Sequence, residues 1–219
     1  MSPYPLHLEG HLDGPVSRWL WLVKWVLAFP HFVVLFFLYV GAVFVWIGAF
    51  FAILFTGRYP RSLFDYQVGV MRWTWRVSFY TYAALATDRY PPFSLQDDPE
   101  YPARLSVEYP DHLSHGLVLV KWWLLAIPQL AIITVLAGGG YGVGLIGLLV
   151  FFAAVALLFS GRYPRSMFDF IMGLNRWYFR VNAYIALMTD QYPPFRLDQG
   201  EDEPASTGTA PTGVTPAPA

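Results

Sequence analysis

The 219-residue chain is 56% hydrophobic and 19% aromatic, with only 13% charged residues, no cysteine and a formal net charge of -1. A soluble domain carries about 25% charged residues, so about half of the usual polar coat is missing and a membrane protein is expected. The same composition excludes a disordered chain, a disulfide-stapled secreted scaffold and a nucleic-acid binder.

Residues 1–15 contain Glu9 and Asp13 but no Lys or Arg, and no small-residue cleavage site follows the next apolar run, so no signal peptide is expected. After Tyr4-Pro5, Leu6 and Leu8 alternate with His7 and Glu9, the pattern of a short strand. An apolar block follows from Trp19, broken only by Lys24, and residues 31–56 contain no Asp, Glu, Lys or Arg. At about 40 residues the block is too long for one span and long enough for two, since a crossing needs about 20. It reads as a transmembrane helical hairpin, with helices over 16–39 and 43–56 and a turn near Gly41. Pro30 falls inside the first helix, where it acts as a packing kink, or as a hinge or ion site beside His31.

The motif GRYPRS at 57–62 then leads into a helix expected over 63–87, with Asp65, Gly69, Arg72 and Arg76 on one side and aromatic and aliphatic residues elsewhere. Two placements are open for it. As an amphipathic interfacial helix it leaves four spans in two parallel copies with both termini cytoplasmic; as a third span it makes six spans in an inverted repeat. Charge favours the first, because Arg18, Lys24, Arg58 and Arg61 gather at the hairpin base while its tip is uncharged. The unit closes with TDRYPPF at 87–93.

Everything then recurs. Residues 57–77 match 161–181 at 13 of 21 positions, LVKW at 22–25 recurs at 119–122, and TDQYPPF occupies 189–195. The chain is read as two membrane repeats, 1–97 and 98–199. In the second, helices are expected over 114–137, 143–160 and 167–189, with Pro128 as the kink and His115, Lys121, Arg162 and Arg165 at the base. Lys121 to Gly161 is seven residues longer than Lys24 to Gly57, and the glycine-rich stretch 138–144 is the expected site of the insertion. Leu105 and Val107 alternate with polar residues after Tyr101-Pro102, so a small cytoplasmic sheet, to which PPFSL and PPFRL add, is expected to clasp the copies. From Gly200 the sequence is Glu/Asp and then Pro, Thr, Ala and Gly, and a disordered tail is expected. The fold class is thus all-α and integral to the membrane, a tandem hairpin-plus-interfacial-helix unit with short cytoplasmic strands.

No catalytic motif emerges. GVGLIG at 142–147 fits a dinucleotide pattern by letter but follows no strand, and neither a nucleophile elbow nor a metalloprotease motif is present. His112, His115 and Asp111 have the spacing of one helical turn but no counterpart in the first repeat, so no metal or other cofactor is expected. The polar constellation that does occur twice is Arg58, Arg61, Asp65, Arg72, Arg76 and Asp88, matched by Arg162, Arg165, Asp169, Arg176, Arg180 and Asp190. The aspartates read as structural charge partners. The eight arginines read either as anchors at phosphate depth or as a twofold site for an anionic headgroup or a partner, gripped by guanidinium forks.

FTGRYPR, FD, RW, RV and TDxYPPF, preceded by a proline-containing apolar helix, resemble a bacterial family of multi-pass membrane proteins catalogued only as a domain of unknown function. The resemblance spans nearly 1–197 and implies the bacterial inner membrane, with no assigned activity, catalytic residue or cofactor. The expected function is a non-enzymatic inner-membrane scaffold or accessory subunit that engages membrane lipids, a larger membrane protein complex or a second copy. A small transporter or channel with its site between the repeats is the alternative.

Overall fold

The computed structural model describes residues 4–12, 16–138 and 144–198. The elements in order are β1 (Leu6–Gly10), α1 (Trp21–Leu27), α2 (Phe29–Thr56), α3 (Arg61–Tyr80), β2 (Ala103–Val107), α4 (Leu117–Val120), a π-helical turn (Lys121–Leu125), α5 (Ile127–Ala137), α6 (Leu145–Ser160) and α7 (Arg165–Ile185). Among the described residues the protein is mostly helical with two short strands, and one helix, α2, is by itself long and apolar enough to cross a membrane.

The expected hairpin with its turn near Gly41 is not formed, because α2 runs unbroken for 28 residues from Phe29 to Thr56. Gly41 serves close approach instead. A Cβ there would lie 2.4 Å from the Tyr66 hydroxyl of α3, which donates to the carbonyl of Leu38 at 3.0 Å. The hairpin of the first repeat is therefore α2 with α3, closed by Gly57 in the left-handed region at φ 66° and by Pro60 ahead of the first turn of α3.

The second repeat builds the same rod from two pieces. Gly144 returns against the end of α5, where its Cβ would lie 2.3 Å from the carbonyl carbon of Ala137, so α6 resumes where α5 stops. Only six of the seven extra residues belong to this interruption, whose residues 139–143 lie outside those described. The remaining one is taken up earlier, since Lys121 precedes Pro128 by seven residues and Lys24 precedes Pro30 by six. The π-helical turn at Lys121–Leu125 accommodates that single insertion. Both prolines sit in the first turn of a new helix rather than mid-helix, where their missing N–H leaves no bond unmade. The bend there in the second repeat is 44°.

The helices expected to 87 and 189 end earlier, at Tyr80 and Ile185. Leu85 and Leu187 take positive φ values of 55° and 64° as the chain turns away, an uncommon conformation for a β-carbon-bearing residue that both repeats adopt. PPFSL and PPFRL form no strand, but β1 and β2 pair antiparallel and join the repeats, with Leu8 opposite its equivalent Leu105. A pseudo-twofold axis thus passes through the sheet between these two residues.

Three layers stack along this axis. On α3, Tyr66, Trp73 and Thr74 touch α2, whereas Arg72 and Trp75 bond to strand carbonyls, and at 100° per residue these sets occupy opposite sides. The sheet is therefore one outer layer, α3 and α7 the middle one, and the apolar helices the other outer layer. The α2 residues turned away from α3, including Val33, Phe36, Phe37, Val40, Phe44, Ile47, Phe51 and Phe55, are all exposed and apolar.

Candidate functional site

The repeated polar residues separate into three groups by depth. In the first, Lys24 Nζ lies 2.8 Å from Asp88 and donates to the Thr87 carbonyl at 2.7 Å, while Lys121 Nζ lies 2.7 Å from Asp190 and donates to the Thr189 carbonyl at 3.1 Å. Both lysines are fully buried and lie against the rings of Tyr80 and Tyr184. The second carboxylate oxygen accepts from the Ser17 amide in one repeat and the Ser114 amide in the other, at 2.6 Å each. This lysine–aspartate clasp fastens the end of each unit to its start. Asp88 and Asp190 are thus structural charge partners, but of the lysines that the sequence pattern places at the hairpin base rather than of the neighbouring arginines. The available signal was that LVKW and TD each occur once per repeat.

The second group comprises four of the candidate arginines. Arg76 and Arg180 are buried, donating to the carbonyls of Ser94 and Gln96 and of Arg196 and Asp198 respectively. Arg72 donates to Leu105 O at 2.9 Å and Arg176 to Leu8 O at 3.3 Å, so each repeat reaches the other repeat's strand. These four hold the middle layer to the sheet and tails, and a headgroup has no access to Arg76 or Arg180. Beside Arg72, Asp97 accepts from Arg104 at 2.7 Å; burial works to raise its pKa, but that bond and the nearby guanidinium charges hold the carboxyl below the usual range.

The third group remains on the surface. Arg58, Arg61, Arg162 and Arg165 are exposed at the two GRYPR turns, as are Asp65 and Asp169. Arg61 pairs with Asp65 at 3.3 Å and lies over the Tyr109 ring. These turns are covered by the opposite repeat. The Arg18 guanidinium packs over Gly161, and His112 and His115 pack over Gly57, with His115 Nδ1 2.7 Å from Leu54 O. The Arg18 charge thereby meets the carbonyl end of α6, where the helix dipole favours a cation, and His115 meets the carbonyl end of α2.

Near the prolines, Trp73 Nε1 donates to His31 Nδ1 at 3.0 Å, and His31 stacks on Phe93. In the second repeat Gln129 Oε1 accepts from Trp177 at 2.9 Å while its Nε2 donates to Pro193 O at 3.0 Å. Histidine and glutamine therefore do the same work of orienting an indole, and the pair is part of the packing between rod and tail.

The chain belongs to the family described as "Domain of unknown function (DUF4389)", whose profile matches residues 18–94 and 117–196, one match in each repeat. No curated protein and no solved structure matches it.

Proposed function

We propose that the protein is a non-enzymatic scaffold or accessory subunit of the bacterial inner membrane, embedded from the cytoplasmic side with its pseudo-twofold axis along the membrane normal. Both termini and the sheet then lie in the cytoplasm, and the apolar layer enters the adjacent leaflet with α2 and α5–α6 in the membrane plane. The observation behind this reading is the outer surface of that layer, where Val26, Phe44, Phe55 and Phe159 are 73%, 70%, 76% and 81% exposed. A monomer in water rarely exposes so many large apolar side chains on one layer, whereas lipid accommodates them.

The headgroup role narrows to Arg58, Arg61, Arg162 and Arg165, which stand at the two ends of the apolar layer where anionic phosphates would meet them. A larger membrane complex or a second copy would dock on the same exposed face or on the sheet.

The cysteine-free sequence makes the test direct. Single cysteines at Arg58 and Arg89, near opposite ends of α2, are probed with an impermeant maleimide on whole cells and on inverted vesicles. Embedding in one leaflet predicts protection of both in cells and labelling of both in vesicles, with the protein resisting carbonate extraction. Labelling of either from outside the cell would replace this reading with a crossing rod.

A further inference from the structure

Between the repeats, α2, α3 and α7 leave a cavity of about 450 Å³, within the range of about 300–1,000 Å³ that holds small ligands. Val43 and Trp46 of α2, Gln67 and Met71 of α3, and Tyr178 and Asn182 of α7 line it, with no charged residue among its lining. It borders Tyr39 and Val43 on the flank of α2, both exposed, so it is continuous with the apolar layer.

The hydrogen bonds around the cavity define what it lacks. Thr74 Oγ1 donates to Val70 O at 2.7 Å, so the 2.8 Å contact between Tyr39 Oη and Thr74 Oγ1 uses the tyrosine proton. Asn182 Nδ2 donates to Tyr178 O at 2.8 Å. Gln67 Oε1 is shielded from solvent with no donor at all, a costly state for a buried amide. Tyr39, Thr74 and one N–H of Asn182 are thus engaged, and Gln67 Oε1 stands over as an unfilled acceptor. The other repeat does not repeat this arrangement: Ile171 stands in place of Gln67, and Asn175, in place of Met71, has its amide bonded to Ala83 O and Ile171 O, each at 2.9 Å.

We infer that this cavity binds one neutral lipid with a hydroxyl head, of the diacylglycerol or long-chain alcohol class. The hydroxyl supplies the donor that Gln67 lacks, and the chain lies along Val43, Trp46 and Met71. The lining offers no cation to a phosphate and no anion to an amine, so phospholipids are selected against on desolvation alone. The site rests on the membrane-embedded reading above, since it fills from the leaflet.

The test uses the full chain in phospholipid vesicles containing either a diacylglycerol or a phosphatidylcholine, each with the same acyl-chain diazirine. After illumination, mass spectrometry counts adducts on peptides carrying residues 39–46, 67–74 and 178–186. The diacylglycerol is expected to label these peptides about tenfold more than the phosphatidylcholine, the equivalent of one hydrogen bond. Ala42→Trp, which fills the cavity, should abolish that labelling, and Gln67→Leu should reduce the preference while the thermal melt stays native-like. Equal labelling by the two probes, or labelling that survives both substitutions, overturns the inference. Vesicle flotation of the same samples separates the two failures: protein that does not float refutes membrane embedding, and protein that floats without the preference refutes the site alone.

Discussion

The lysine–aspartate clasp gives the sharpest energetic prediction. Asp88→Asn keeps the shape and one acceptor for the Ser17 amide but removes the charge facing Lys24, which is fully buried. Leaving a buried charge without its counter-ion costs about 3–5 kcal/mol. The Asp88 side chain is 30% exposed, which admits some solvent screening and places the cost near the lower bound, about 3 kcal/mol. In a chain of this size about 1 kcal/mol corresponds to about 2–4 °C, so the melting temperature should fall by about 6–12 °C. Asp190→Asn should behave alike, because Lys121 is buried as completely and Asp190 is 25% exposed. The double variant Lys24→Met with Asp88→Asn removes the stranded charge and should recover most of the loss, giving a coupling of about 2 kcal/mol in a double-mutant cycle. Tryptophan fluorescence melts of the detergent-purified protein read the wild type, Asp88→Asn, Lys24→Met, their double variant and Asp190→Asn. If the double variant melts no higher than Asp88→Asn, or if both single variants lose less than about 2 °C, the clasp does not fasten the unit.

Two further outcomes follow from geometry. Gln129→Leu strands the indole N–H of Trp177 and the carbonyl of Pro193, and should cost about 2–4 kcal/mol, read as a lower melting temperature; no change would mean that these groups find other partners. Gly161→Ala forces a Cβ onto φ 69° where it would lie 2.2 Å from the Arg18 guanidinium, so it should cost at least about 1–2 kcal/mol, and Arg18→Ala in the same chain should relieve the steric part but not the backbone part.

The duplication, the two strands and the site of the main insertion were legible because each depends on local order: a repeated motif, alternation after Tyr-Pro, a run of glycines. The unbroken α2 was not. Gly41 in an apolar block of about 40 residues has the local signature of a turn, and only Tyr66, on the next helix, shows that the missing Cβ makes room for a neighbour. The arginines misled for a related reason. On a helical wheel Arg72 and Arg76 share a side with Asp65, which suggests a solvated polar face, but the tail at 94–97 folds back over Arg76 and the other repeat's strand over Arg72. Local sequence gives a polar side; whether water or backbone carbonyls cover it is decided by chain that is distant in sequence. Arg58 and Arg61 stay exposed at the turn, where the pattern put them, although Tyr109 of the other repeat lies against Arg61.

The layer order also bears on how the apolar rods would lie under the proposed membrane embedding. At 1.5 Å per residue the 28 residues of α2 extend about 42 Å, ample for a crossing of the ~30 Å core, so length alone permits either orientation. The partner helix favours the in-plane orientation of the proposal. Tyr66 contacts α2 at Leu38 and Gly41, close to its midpoint, and the adjacent Asp65 is 58% exposed. A crossing α2 would therefore hold Asp65 near the bilayer centre at about 2.5–3.5 kcal/mol, and the pseudo-twofold axis would do the same to Asp169. It would also place the sheet edge-on at membrane depth, with Glu9 and Arg104 opposite one another in register. Laying the rods in the plane removes these costs together, since every one of those groups lies on the far side of α3 and α7 from the apolar surface. The reciprocal contacts support the same geometry: Arg18 beside Gly161 and His112 beside Gly57 set the start of each rod at the end of the other, so the rods run antiparallel about an axis normal to their own layer. Two antiparallel rods related by such an axis present one apolar face, which is the surface that the proposed single-leaflet embedding requires.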